Sequence, residues 1–277
     1  MYINNYKIIS KLGSGNFGSI YKGSHKRTNK TVAIKCEPTN SQIKLLKNES
    51  YILKYLYDKG CRSIPLVHWY GLHNDNLCLI MPYYHCTLTQ YLHNDTFEKN
   101  KLDKIFVNLI GLFQTIHTNM VIHRDIKPDN FMIRDGNIYL IDFGFSTFYI
   151  QEDGFHSENK TSEYFTGTPK YISYNIHCGN SPSRRDDLIS LGYVYLYMLM
   201  KELPWDILPS HNKEDNKEPN HIEYSRNKLI RECKSIENIE TLKGIIGDEI
   251  TLFFGYCYYL KYEDLPNYDA LIDVFSR

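Results

Sequence analysis

Residues 121–144 read VIHRDIKPDNFMIRDGNIYLIDFG, and the order of polar groups in this stretch decides the fold. Asp125 is placed to accept the proton of a hydroxyl group. Lys127, two residues on, can offer an ammonium to a phosphate. Asn130 and Asp142 supply oxygen ligands, which suit a hard cation such as Mg²⁺. A short strand, a turn at Asp135-Gly136 and a second strand separate these two ligands. A base, a cation and two oxygen ligands in this order are the parts that phosphoryl transfer requires.

A second cluster lies near the N-terminus. Gly13-Ser14-Gly15-Asn16-Phe17-Gly18-Ser19-Ile20 forms a G-x-G-x-x-G-x-I loop. Dinucleotide-binding folds share such glycines, but there the loop opens a helix. Here SIYKGSH follows, a strand pattern, so the loop is a strand–turn–strand cover whose glycines let backbone N–H groups approach phosphate. Val32-Ala33-Ile34-Lys35 follows. Together with H-R-D-x-K-x-x-N and D-F-G, these motifs resemble those of protein kinases.

The resemblance implies an α+β, bilobal protein kinase fold: a five-stranded β N-lobe with one helix and a mainly α-helical C-lobe. It also implies that residues 1–277 form a single protein kinase domain. The N-lobe is expected over about 1–81, the hinge over about 82–85 and the C-lobe over about 86–277, with a polar, mobile surface insertion over about 209–220. Catalytic roles fall to Asp125, Lys127 and Asn130, and metal binding to Asn130 and Asp142. ATP is expected to meet Gly13, Gly15 and Gly18, with Lys35 on its α- and β-phosphates. Glu49, on the next helix, orients Lys35. Glu37, on the strand of Lys35, is not expected to reach it. Leu12, Ile20, Ala33, Met132 and Ile141 would sandwich the adenine, beside Met81 as gatekeeper and the hinge N–H of Tyr84.

Composition limits the partners. Lys+Arg and Asp+Glu each number 32, so no electrostatic footprint argues for nucleic acid. The seven cysteines are scattered without a C-x-x-C pair, as reduced cytosolic thiols are. MYINNYKIIS lacks the apolar core of a signal peptide. Leu188–Met200 is too short to span a bilayer and reads as a buried helix. The expectation is a cytoplasmic monomer acting on proteins, with no membrane or nucleic-acid partner. Abundant Asn, Lys, Ile and Tyr suggest an A/T-rich genome of a protist or large DNA virus. For a viral protein the host cytoplasm or nucleus would be the location.

Period-two runs predict strands over Tyr6–Leu12, Ser19–Ser24, Thr31–Glu37, Leu66–Gly71 and Leu77–Met81. Helical periodicity predicts helices from Ser41 to Lys59 and over Leu102–Thr118, Asp186–Met200, Leu242–Tyr259 and Asn267–Phe275.

Further along, Gly167-Thr168-Pro169-Lys170-Tyr171 precedes Ser173-Tyr174-Asn175, where most kinases carry A-P-E. Ser183-Arg184-Arg185-Asp186-Asp187-Leu188-Ile189-Ser190-Leu191-Gly192-Tyr193 follows. With LGSGNFGSIYKG, VAIKCE, HRDIKPDNF, LPW and LPNYDALIDVF, this set is similar to the casein kinase 1 family, and next to the related vaccinia-related kinases. The resemblance implies a serine/threonine-protein kinase (EC 2.7.11.1) using ATP and Mg²⁺, constitutively active. Its substrates would carry an acidic or already phosphorylated residue upstream, read by a pocket of Lys170, Arg185 and either Arg226 or Lys228. Lys170 stands where that family usually has Arg, which removes the fork geometry. Asp187 corresponds to the helix aspartate that steadies the catalytic loop, and Asp186 is expected to be a surface acid. A non-catalytic scaffold would be expected to have lost Lys35, Asp125, Asn130 or Asp142, and all four are present.

Overall fold

The two-residue turn at Asn74-Asp75, with Asn74 at φ +50°, closes the hairpin between strands β5 and β6 of the largest sheet. The computed structural model of the chain describes residues 1–15, 18–94, 97–162, 164–208 and 219–276. Its chain contacts divide it into one unit of residues 1–91 with 129–146 and another of residues 92–128 with 147–277. Strands are β1 Tyr2–Ile3, β2 Tyr6–Gly15, β3 Gly18–His25, β4 Thr31–Pro38, β5 Trp69–His73, β6 Asn76–Pro82, β7 Cys86–Thr87, β8 Val121–Ile122, β9 Phe131–Arg134, β10 Asn137–Leu140 and β11 Thr147–Phe148. Helices are α1 Leu45–Asp58, α2 Leu88–Asn94, α3 Lys99–Thr118, α4 Tyr174–His177, α5 Arg184–Met200, α6 Pro219–Cys233, α7 Ile236–Thr241, α8 Lys243–Ile246, α9 Asp248–Tyr259 and α10 Tyr268–Phe275.

The first unit holds a sheet in the order β1-β2-β3-β4-β6-β5. It has six strands where five were expected. The additional strand arises because Asn4, at φ +51°, turns the chain back so that Ile3 pairs with Tyr6, and asparagine tolerates that left-handed conformation. Ile3 then joins Val32, Ile34, Cys78 and Ile80 in a buried cluster on one face of the sheet. The opposite face carries Ala33 and Lys35, in register with Met81 and Leu79. β5 begins at Trp69 rather than Leu66, because the pairing set by the Asn74-Asp75 turn runs from His73↔Asn76 only as far as Trp69↔Ile80. Leu46, Ile52, Leu53 and Leu56 bury one side of α1. Lys44, at its N-cap, makes no side-chain cap; instead Glu37 accepts the backbone N–H groups of Leu45 (2.9 Å) and Leu46 (3.3 Å). A three-stranded sheet, β10-β9-β7, completes this unit.

The second unit is built around α5, whose residues from Asp186 to Met198 are all buried. Helices α3, α9 and α10 pack around it or each other through aromatic rings. The Phe106 ring lies 4.6 Å from Tyr195, 5.1 Å from Phe253 and 4.8 Å from Phe275. Removing such a buried ring by truncation to alanine costs about 3–5 kcal/mol. Asp186 is buried, not a surface acid: it accepts the N–H of Ser183 at 2.8 Å and the hydroxyl of Ser173 at 2.5 Å, which caps α5 and ties the 173–175 segment to it. The helix expected over Leu242–Tyr259 is interrupted at Gly247, whose φ of +94° ends α8 before α9 starts. Residues 209–218 of the expected insertion lie outside the described residues, and Pro219 and Asn220 open α6. No helix among the described residues is long and apolar enough to cross a membrane.

Candidate active site

In the first unit, β2 and β3 carry the glycine loop. Gly13 pairs with Ile20 and Gly15 with Gly18, while Asn16 and Phe17 lie outside the described residues. Gly18 has φ +136°, and a Cβ there would stand 2.1 Å from the carbonyl oxygen of Cys36, so any side chain would have to push β4 away. Gly13 and Gly15 are exposed and unobstructed.

The Lys35 ammonium lies 2.7 and 2.9 Å from the two carboxylate oxygens of Glu49 and 3.1 Å from Asp142 Oδ1. Burial works against its charge, but the carboxylates of Glu49 and Asp142 outweigh it and hold Lys35 above the ordinary lysine range. Glu49 is buried, while the Asp142 side chain is 42% exposed. The structure therefore brings Lys35, Glu49 and Asp142 together. Asp142 adopts φ +67°, a left-handed conformation that the following Phe143–Phe145 turn requires. Asn130 is buried, and its carbonyl accepts the N–H of Ile141 at 2.9 Å.

Asn48, on α1 next to Glu49, donates to the carbonyls of Gly144 (2.9 Å) and Ser146 (2.8 Å). Nothing in the sequence singles Asn48 out. Ile20, Ala33 and Met81 lie on the sheet face of Lys35 by register. Met81 and Tyr84 are buried, Ala33, Met132 and Ile141 half-buried, and Leu12 and Ile20 exposed. Tyr84 also stacks on Tyr139, with ring centroids 4.8 Å apart.

In the second unit, β8 pairs with β11 and leads into the loop that carries Asp125. The Asp187 carboxylate accepts the backbone N–H groups of His123 (2.7 Å) and Arg124 (3.0 Å) and lies 3.0 Å from His117 Nε2. Burial opposes its ionisation, yet the bonds from His117 and His123 hold it below the usual carboxylate range. Asp187 thus fixes the loop backbone, and Arg124 is held at φ +74°. Asp125 is buried, with Lys127 Nζ 2.7 Å from Oδ2 and the Thr168 hydroxyl donating to Oδ1 at 2.8 Å. Lys127 also lies 3.2 Å from Thr168 Oγ1. Thr168 was legible only as part of a segment; its bond to Asp125 was not.

The expected anion pocket is not assembled by the contacts of its members. Lys170 is 2.5 Å from Asp206, so its charge already has a carboxylate partner. Arg185 donates to the Leu260 carbonyl at 2.9 Å and lies 3.7 Å from Asp186. Arg226 is exposed on α6. Lys228, with Arg231, lines a cavity of about 590 Å³ whose other walls include Thr161, Ser162 and Phe165. Lys234 was not anticipated: it is fully buried and donates to the carbonyls of Pro169 and Ile172.

The sequence matches the protein kinase domain model over residues 6–258. The chain belongs to the protein kinase family. The match accounts for the mixture of helices and sheets, and a protein kinase domain transfers phosphoryl groups to proteins. Such domains generally use ATP and Mg²⁺. The donors of this kinase domain fit that pair: an ammonium steadied by two carboxylates suits phosphate, and an amide and a partly exposed carboxylate offer the oxygens that Mg²⁺ prefers.

Proposed function

We propose that this kinase domain is a serine/threonine-protein kinase of the casein kinase 1 type, transferring the γ-phosphoryl of Mg·ATP to Ser or Thr of acidic or pre-phosphorylated proteins. The observation that carries the reading is the bonding of Asp125 to Lys127 and Thr168. Asp125 orients the substrate hydroxyl and takes its proton, while Lys127 offers its charge to the transferring group. Thr168 braces the carboxylate from its other side. Lys35, aligned by Glu49, holds the α- and β-phosphates. Asn130 and Asp142 would hold Mg²⁺, which screens phosphate charge when bound. The glycine loop covers the phosphates, and Ile20, Ala33 and Met81 offer an apolar face for adenine.

Lys160 and Ser162, upstream of Gly167, are held by bonds that need no phosphate. Ser162 N–H donates to Gly179 O at 2.9 Å, and Lys160 N–H to Ser181 Oγ at 3.0 Å. These contacts support activity without an upstream kinase. Preference for an upstream anion is supported by Lys228 and Arg231 in the cavity beside Thr161 and Ser162, rather than by Lys170 or Arg185.

The test is the initial rate with Mg·ATP on three matched peptides, carrying phosphoserine, aspartate or alanine three residues before a serine, and on a tyrosine analogue. Wild type and Asp125→Ala run in parallel. A phosphoserine preference lost in Asp125→Ala supports the whole reading. Equal rates on the three serine peptides remove the anion preference, and turnover of the tyrosine analogue alone overturns the serine/threonine assignment.

A further inference from the structure

Cys36 and Cys78 stand directly opposite each other on β4 and β6. Their sulfurs are 3.3 Å apart. Both belong to the buried face of the sheet, away from Lys35, and Cys78 is buried while Cys36 is half-buried. Directly opposed residues of an antiparallel pair have Cβ atoms about 4.5–5.5 Å apart. Disulfides span Cβ distances of about 3.5–4.5 Å, so the two ranges meet, and modest rotation of two side chains brings the sulfurs into bonding distance.

The pair is also asymmetric. The hydrogen bond between the two thiols lowers the pKa of Cys36 despite its burial, and the same bond, with burial, raises that of Cys78. Cys36 is accordingly the more acidic of the two and the attacking thiol, with Cys78 as the resolving one. A cavity of about 190 Å³ borders both residues, with Ile8, Tyr21, His73 and Asn76 in its walls, and admits a small oxidant.

We propose that Cys36 and Cys78 are a redox modification site, closing to a reversible disulfide when the chain meets a peroxide. The Cys36 thiolate attacks one peroxide oxygen and the O–O bond breaks, giving a sulfenic acid and hydroxide, which is protonated to water. The Cys78 sulfur then attacks the Cys36 sulfur. The S–O bond breaks, and the departing hydroxide takes up the Cys78 proton as a second water. Two thiols and one peroxide yield one disulfide and two waters. The bond would staple the strand that carries Lys35 to the strand that ends at Pro82.

The test treats reduced, full-length protein with stepwise hydrogen peroxide, blocks remaining thiols with N-ethylmaleimide and maps the digest by mass spectrometry. The expected result is a linked peptide pair containing Cys36 and Cys78, lacking two hydrogens and separated by dithiothreitol. It should form at lower peroxide than oxidation of the exposed Cys178. In Cys78→Ser, Cys36 should instead be trapped by dimedone as the sulfenic acid. The proposal is overturned if both thiols still take N-ethylmaleimide once Cys178 is oxidised, or if Cys36 proceeds to sulfinic acid with Cys78 free. The wild-type digest reads the bond directly, whether or not the variant folds and whether or not the chain phosphorylates peptides.

Discussion

The ammonium of Lys234 donates to the carbonyl of Ile172 at 2.7 Å, without any exposed surface of its own. It also reaches the Pro169 carbonyl at 2.9 Å and sits 4.9 Å from the centre of the Trp205 ring. The 169–172 segment is thus held by a cation just past the end of α6, bonded to two backbone oxygens. Burial pushes the Lys234 pKa well down, with Asp206 opposing that shift.

Lys234→Met keeps the stem and removes every donor. Leaving the Pro169 and Ile172 carbonyls without their partner should cost about 1–3 kcal/mol for each group left unsatisfied, read by urea unfolding. The KM for a peptide substrate should rise, while nucleotide affinity stays at the wild-type value. A variant with normal stability and normal peptide KM would remove Lys234 from this role.

Asp125 and Thr168 should separate by size of effect. Asp125→Ala removes the base and should lower kcat on the order of 10²–10⁴-fold, with ATP affinity nearly intact. Thr168→Ala removes one neutral donor to the Asp125 carboxylate, a loss of about 1.5 kcal/mol, the low end for a bond to a charged group, and so about tenfold in kcat, and Thr168→Ser should restore it. Single-turnover rates with saturating Mg·ATP give the comparison. Equal losses in the two alanine variants would show that Thr168 does more than brace the carboxylate.

His177 sets a pH dependence. Burial first, and then the charge of Lys234, push its pKa from the ordinary histidine value down to about 3, although the Pro169 carbonyl opposes the shift. The folded chain therefore resists protonation that the unfolded chain accepts below about pH 6.5. Stability from this residue is present above that pH and is lost as pH falls towards 3, at up to about 1.4 kcal/mol per pH unit. His177→Gln should flatten the denaturant-monitored stability profile between those values. An unchanged slope would mean that other groups carry the acid sensitivity.

The parts of the site that were legible in the sequence are those whose chemistry is tied to short spacing. Asp125 and Lys127 meet because one residue separates them, and the alternation of V-A-I-K puts Ala33 and Lys35 on one face. Glu49 was legible because the kinase resemblance calls for a carboxylate on the helix after the lysine strand, and Glu49 sits in the middle of that helix. Contacts made across long sequence separations carry no such signature. Asn48 bonds to residues 144 and 146, Thr168 to Asp125, and Lys234 to Pro169, and nothing local distinguishes these side chains from surface ones. The partner of Lys170 was equally illegible, since Asp206 lies 36 positions away. The sixth strand was missed because two residues are too few to show a period, and its turn depends on one asparagine conformation.

Glu37 holds the first turn of α1 from a position on β4, two residues beyond Lys35. The helix that presents Glu49 is therefore moored to the strand that presents the lysine. Swinging α1 outward would strand a fully buried carboxylate. A ligand that made room for itself by displacing this helix would have to overcome that penalty before gaining any contact. Compounds shaped to the intact Lys35–Glu49 pair face no such toll, and a screening library for this kinase is best weighted towards them.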